Sequence, residues 1–307
     1  MFQTLQNTMR ISFTLEPDGP ILVRAQTVGL DPGVADMEFQ RTHRNGKSTV
    51  FLAGSGLKGV IRSHAERLLR TRGLYACDPT LTKAFGERKD VACGSLRKDD
   101  RQRSNTRKYP HDGQCSSCFT FGSLHLAGRF RVSDAYPREG LDDETNLTEV
   151  RTGVGIDRRS QSAQHNVLYD TEVVVRGGFD VRIQGENFSL WQAALVLSTL
   201  EDLDAGLVRI GGCKARGMGS VLVKNWKVEL GFLDRTSGKL TGARRIASSE
   251  ADYALPESDQ IDAPEGGEPG EWGLFRTVCY EGDKVRGLVK DLGAGPLEAH
   301  LRRFGSH

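Results

Sequence analysis

The stretch Gly54-Ser-Gly-Leu-Lys-Gly-Val-Ile-Arg-Ser-His-Ala-Glu-Arg-Leu-Leu69 anchors the reading of the chain, because Leu57, Val60, Ile61, His64, Ala65, Leu68 and Leu69 recur at helical spacing. Ser55 stands where a cap is expected and Gly73 where the helix should stop. Upstream, Arg10-Ile-Ser-Phe-Thr-Leu15 and Ile21-Leu-Val-Arg-Ala25 alternate as strands around a Pro17-Asp-Gly-Pro20 turn. Downstream, strand character returns at Arg129–Tyr136. Thr148–Asp157 and Leu168–Val175 read as the arms of a long hairpin whose tip is Arg158–His165. Trp191–Leu200 is a second apolar helix, and Leu207–Ile210 and Ser220–Val228 are strands flanking Gly211-Gly-Cys-Lys-Ala-Arg-Gly-Met-Gly219. Strand, helix, strand, strand, helix, strand is the order of a ferredoxin-like α+β sheet, here with two insertions. A chain of 307 residues is long enough for one such elaborated domain and an extension.

Charge is unevenly spread. The net charge is +2, from 42 Lys and Arg against 40 Asp and Glu. Arg41–Arg72 holds eight basic residues and one acid, whereas Glu250–Glu271 holds eight acids and no Lys or Arg. A basic body with an acidic segment points to a polyanionic partner, nucleic acid above all. Ser248–Gly270 reads as a flexible acidic linker before a short helix near Leu297–Phe304. A hydrophobic fraction of 37% with no apolar run of membrane-spanning length argues against a membrane role. The first residues lack the pattern of a secretory signal, so a cytoplasmic address, with thiols rather than disulfides, is expected.

Four of the six cysteines, Cys77, Cys93, Cys115 and Cys118, fall in a polar stretch with little periodicity. Cys115-x-x-Cys118 lets two thiolates reach one tetrahedral ion, and zinc would supply the fold energy that such a stretch lacks. His111 could displace one cysteine, and four unrelated thiols would be the plain alternative. His64-Ala-Glu66 with Cys115-x-x-Cys118 imitates the zinc nucleobase deaminases. Against that, Gln114 replaces the proline of their motif, His64 lies on the apolar stripe, and Cys77 and Cys93 would have no role. Small residues at the start of the Gly54 helix leave backbone N–H groups open to an anion, with Lys58 and Arg62 beside them. The turn at Gly211–Gly219 adds Lys214 and Arg216 between two strands, a context that excludes a dinucleotide fold and suits a polynucleotide backbone.

Together these features resemble the RAMP superfamily, specifically the backbone subunit that polymerises along guide RNA in type III CRISPR effector complexes. The resemblance rests on Gly54–Arg62, on Phe85-Gly86 and Phe121-Gly122, on Gly155-Ile-Asp-Arg158 with Leu168-Tyr-Asp-Thr-Glu172, and on Gly211–Gly219. It implies an RRM-like palm over residues 1–231, a thumb hairpin at 148–176 wedged between nucleotides, and a zinc-stabilised finger insertion at 74–122. Residues 232–307 remain an acidic, partly flexible extension, for which shielding of basic surface in the absence of RNA is one expectation. The cysteine insertion is similar to that of the III-D and III-E branch rather than III-A. Ser55, Lys58, Arg62, Lys214, Arg216 and Gly217 would hold the guide RNA, and Cys77, Cys93, Cys115 and Cys118 a structural Zn²⁺. In nuclease-competent members a loop aspartate cleaves target RNA. Here the match falls on Asp36, with Asp31 as the fallback and His43 and Arg44 nearby, and Mg²⁺ or Mn²⁺ is the implied catalytic ion. A turn aspartate in an inert filament subunit, served by a separate nuclease, is the alternative. The implied partners are guide RNA, target RNA, other effector subunits and further copies of the chain.

Overall fold

The computed structural model describes residues 4–25, 35–81, 92–95, 109–138, 147–233, 238–243, 255 and 259–305. Strand β1 (Asn7–Pro17) buries Met9, Ile11, Phe13 and Leu15 on one face, as its alternation demands. Helix α1 (Gly54–Thr71) follows the small hairpin β2 (Arg41–Arg44) and β3 (Lys47–Val50). After the cysteine region, which includes helix α2 (Ser116–Phe121), come β4 (Phe130–Val132) and β5 (Tyr136–Pro137). The long hairpin is β6 (Thr148–Ile156) and β7 (Ala163–Val174). Strand β8 (Phe179–Glu186), which the sequence reading did not single out, pairs with β1 and β4, and helix α3 (Leu190–Asp204) and β9 (Val221–Phe232) follow it.

Four of these strands lie side by side in the order β9, β1, β8, β4, every neighbour antiparallel. Both α1 and α3 contribute to the single main core, where Leu57, Ile61 and Leu69 of α1 join Leu190, Ala194, Leu197 and Leu200 of α3. A capping box closes the start of α3, with Ser189 N–H donating to Gln192 Oε1 at 2.9 Å. The β6–β7 hairpin forms its own two-stranded sheet, separate from the main one.

Three expectations change. Ile21–Ala25 is not a strand in the main sheet; single bridges tie Ile21 to Val174 and Arg24 to Phe39. Leu207–Ile210 is not a strand either, because its chain is held by turns, with Ile210 N–H donating to the Gly219 carbonyl at 3.0 Å. The stretch read as a flexible acidic linker contains two strands, β11 (Gln260–Asp262), which pairs with β10 (Lys239–Thr241), and β12 (Glu268–Trp272). Strand β13 (Phe275–Glu281) joins β12 to β9, and helices α4 (Asp283–Leu292) and α5 (Glu298–Phe304) pack behind. Tyr280, Val285, Leu288 and Leu292 are fully buried there, so apolar contacts hidden among the acids fix this region.

Candidate metal centre and nucleic-acid interface

Cys77, Cys93, Cys115 and Cys118 come together although up to 41 residues separate them, and all four are buried. Their sulfurs lie within 4.8 Å of one another, with Cys77 and Cys118 at 3.4 Å. Thiolates about 2.3 Å from one tetrahedral ion stand about 3.8 Å apart, so this set could hold a metal such as zinc. The short helix α2 starts between the C-x-x-C pair, and Cys115 Sγ accepts the Cys118 N–H at 3.5 Å. Cys115 N–H in turn donates to Cys93 Sγ at 3.3 Å. Hydrogen bonding from Cys118 pulls the Cys115 thiol well below its ordinary value, the chemistry of a thiolate ligand. His111 does not join the set. Its ring is buried in a stack with Phe119 at 4.3 Å and His300 at 5.6 Å between centroids.

Glu66 and Arg62 serve this centre from α1. Glu66 Oε1 accepts from Arg62 Nε at 2.8 Å and from Ser117 Oγ at 3.0 Å, while Arg62 Nη2 lies 3.2 Å from Cys118 Sγ and Nη1 donates to the Gly122 carbonyl at 3.0 Å. Such second-layer contacts orient ligands and stabilise their negative charge. Arg62, expected beside Lys58 as a phosphate grip, is turned toward the sulfurs. A deaminase role for Glu66 finds no support in this arrangement, since its carboxylate is buried in ion pairs and His64 pairs with Asp202 at 2.6 Å.

The start of α1 is capped differently from the sequence reading. The N-cap is Ala53, and the Gly54 N–H donates to Asp134 Oδ1 at 2.7 Å, across 80 residues. Only glycine fits at 54, since a Cβ would stand 2.3 Å from the Val132 carbonyl oxygen. Ser55 and Gly56 are exposed just beyond, and nothing would crowd a Cβ at Gly56 or Gly59, so this helix face is open. Lys58 is half-buried and has no acidic partner among the described residues; desolvation and then the charge of Arg62 lower its pKa. An unpaired, partly desolvated ammonium beside free helix N–H groups can receive a phosphate.

In the glycine-rich turn, Gly211 and Gly219 answer to packing. A Cβ at either would come within 2.1 Å of a carbonyl oxygen, that of Leu22 or of Ile210. Lys214–Arg216 forms a short exposed turn, and Gly217 faces open space with φ of 83°. Arg216 Nη1 donates to Tyr169 Oη on β7 at 2.7 Å, which ties the turn to the long hairpin.

Asp36 lies against the middle of that hairpin, where Asp170 pairs with Thr152. Its Oδ2 accepts the Asp170 N–H at 2.9 Å, and Met37 bridges Thr171. Just beyond, Glu172 Oε2 accepts the Phe39 N–H at 2.9 Å and Arg41 Nη1 at 2.7 Å. Burial opposes ionisation of Glu172, but these donors hold its carboxyl below the ordinary value. The loop leaving β1 is thus clamped to β7. One oxygen of the exposed Asp36 carboxylate stays free among the described residues. His43 and Arg44 are exposed on β2, with Arg44 over the Tyr136 ring at 4.4 Å. Asp31 and the Phe85-Gly86 pair lie outside the described residues.

Sequence reasoning missed Asp134, Tyr169, Glu172 and His300. Only Tyr169 and Glu172 carried a signal, as members of Leu168-Tyr-Asp-Thr-Glu172. Beyond Asp36, the hairpin exposes Val154, Ile156 and Leu168, which are 47%, 55% and 69% accessible. Among the described residues, no helix is long and apolar enough to cross a membrane. A search of the curated proteins found no match. The family model of the RAMP superfamily matches residues 14–222, more than half of the chain, and the protein belongs to that superfamily.

Proposed function

We propose that this RAMP-superfamily protein is a backbone subunit of a type III CRISPR effector of the III-D or III-E kind, which binds guide RNA and cuts complementary target RNA at Asp36. Membership of the superfamily suggests a CRISPR-associated effector subunit. The strand order β9, β1, β8, β4 with a helix after the first and third strands in sequence supports a ferredoxin-like palm. The four-cysteine centre is read as a structural zinc site that holds the finger insertion.

The observation that carries the nuclease reading is the clamp between Asp36 and Asp170. A hairpin whose exposed Val154, Ile156 and Leu168 wedge between bases would displace a nucleotide close to a carboxylate fixed midway along it. A divalent cation at Asp36 would supply charge stabilisation at the scissile phosphate. Asp36 positions the displaced ribose so that its 2′-hydroxyl, losing its proton to water, attacks the adjacent phosphorus to form a 2′,3′-cyclic phosphate while the 5′ oxygen of the next nucleotide leaves and takes a proton from water. Ser55, Gly56 and Lys58 at the start of α1, with Lys214, Arg216 and Gly217 in the turn, are the groups offered to the guide backbone. Arg62 acts at one remove, through Cys118 and Gly122.

Complex with guide RNA, incubated with target RNA and magnesium and no other nuclease, is the test. Wild-type complex should cut. Asp36→Asn keeps an oxygen for the Asp170 N–H but removes the charge, and should retain assembly and target binding while the cuts served by this subunit disappear. Cleavage unchanged in Asp36→Asn and Asp36→Ala would remove Asp36 from the mechanism. No cleavage by wild type would leave an inert guide-binding subunit.

A further inference from the structure

The outermost hairpin of the main sheet, β12–β13, ends in the two-residue turn Gly273-Leu274. Leu274 is 85% exposed there and Trp272 beside it 44%. The indole is held in place, with the Phe275 ring stacked at 5.8 Å between centroids and the Arg10 guanidinium 3.4 Å over it. Glu265, just before β12, and Glu271 within it are exposed and have no cationic partner among the described residues. Pro269 in the middle of β12 lacks a backbone donor, which argues against a further strand along this edge, so the tip is what the hairpin offers. A surface of opposite character opens between α1 and the chain that leads from α3 into the glycine-rich turn, a cleft of about 250 Å³. Val60 and the 67%-exposed Leu207 line it beside Arg67 and Arg209, which are exposed and without an acidic partner among the described residues. Arg209 Nη1 donates to the Lys214 carbonyl at 2.8 Å, which fixes the guanidinium without neutralising it. Among the described residues, no carboxylate lines the cleft.

The tip is apolar and acidic, the cleft apolar and basic, so each has what the other lacks. They lie toward opposite ends of the sheet. Phe232, opposite Arg276 of β13, also pairs with Asn7 at the start of β1, whereas Val221, just past the glycine-rich turn, pairs with Pro17 at its end. The 11-residue β1 spans about 35 Å, so tip and cleft of one copy cannot meet. We propose that the hairpin tip of one copy docks in the cleft of the next, Leu274 against Leu207 and Val60, and Glu271 beside Arg67 and Arg209. Two different surfaces make the contact head-to-tail, so association runs on past the dimer. The contact rests on the backbone-subunit reading above and names the protein surfaces that join neighbouring copies, leaving Lys214 and Arg216 to the guide.

Sedimentation velocity of the full-length protein, free of nucleic acid and at low salt, is the test. Wild type should associate beyond the dimer as concentration rises, and added salt should weaken the association. A tip variant, Leu274→Ser with Glu271→Gln, and a cleft variant, Arg67→Glu with Arg209→Glu, alter exposed positions only. Each should weaken association about tenfold or more with thermal melting unchanged. Mixed in equal amounts, the two variants should form a 1:1 dimer and nothing larger, because one supplies an intact cleft and the other an intact tip. A mixture that stays monomeric, a wild type that is monomeric or stops at a closed dimer, or variants that associate like wild type each overturn the contact. So does a cleft variant that loses affinity for a single-stranded oligoribonucleotide and keeps self-association, which would give the cleft to RNA. Wild type that associates but binds no such RNA sinks the backbone-subunit reading and leaves the contact standing, whereas a monomeric wild type that still loads in several copies on one RNA sinks the contact alone.

Discussion

Two regions interrupt the apolar patterning of this chain, the cysteine insertion and the acidic carboxy-terminal stretch, and they are held by opposite means. Around the insertion, four sulfurs converge in a cluster separate from the main core, and among the described residues the hydrophobic side chains packed against it are Tyr75 and Tyr109. The carboxy-terminal stretch instead adds β13 and β12 to the edge of the main sheet and buries Val285, Leu288 and Leu292 of α4 in the main core. One region therefore gathers a set of thiols that could hold a metal and the other buries apolar area, even though both look like polar loops in composition. The two meet where Ser116, between the C-x-x-C cysteines, lies 3.0 Å from His300 Nε2, with the His300 ring stacked on Trp191 at 3.7 Å.

The sharpest break of that comparison is removal of one ligand. Cys118→Ser should reduce bound zinc from about one per chain to near zero by elemental analysis and make the insertion protease-sensitive, since a structural site of this type contributes about 10 kcal/mol or more of binding free energy to folding. A chelator should reproduce the effect in wild type while leaving the β12–β13 and α4 region protected from hydrogen exchange. Protection lost equally in both regions would show that they form one cooperative unit.

Next in size is Leu288→Ala, fully buried on α4. It should destabilise the fold by about 2–5 kcal/mol in denaturant titration and leave zinc content unchanged. For the same reason, truncation at residue 247 would remove part of the core along with the acids, and so could not isolate any shielding of basic surface.

The smallest effect concerns Asp259, which accepts the Leu190 N–H at 3.0 Å at the start of α3. Burial pushes its carboxyl up to about 6. A raised carboxyl pKa means the native state binds the extra proton, so stability falls as pH rises from the unfolded value to about 6, and the cost persists above it. Asp259→Asn keeps an acceptor for Leu190 and should raise stability at pH 7.5 by up to about 3 kcal/mol, with little change at pH 4. Thermal melts at the two pH values check this.

Most of the palm was legible. The period of α1, the alternation of β1 and the arms of the β6–β7 hairpin follow from which residues must face a core, and the structure places them within a few residues of expectation, whereas β8 went unread although Phe179, Val181 and Ile183 alternate inward along it. The cysteine set was legible as residue types, although Cys77 and Cys93 had no spacing to mark them. The cap on α1 was not. Ser55 satisfies the local rule, but the carboxylate that receives the Gly54 N–H comes from Asp134, 80 residues on. Nor was the destination of Arg62, because i,i+4 pairing with Glu66 and helix-start phosphate binding both suit an arginine there. The acidic stretch misled for the same reason, its charges being plain in composition and its edge-strand pairing visible only against β13.

The sequence by itself determined the two palm helices, β1, β9 and the long hairpin, and the basic and thiol residues from which the sites are built, since these answer to periodicity and side-chain chemistry over a few neighbouring residues. Only the tertiary structure decided which charge meets which. It sent Arg62 to the sulfurs and left Lys58 unpaired, fastened Asp36 to the middle of the hairpin through Asp170, and turned His111 into an aromatic stack. A charged or hydrogen-bonding group has several partners of nearly equal worth in an unfolded chain, and the choice among them is made when apolar packing brings distant segments together.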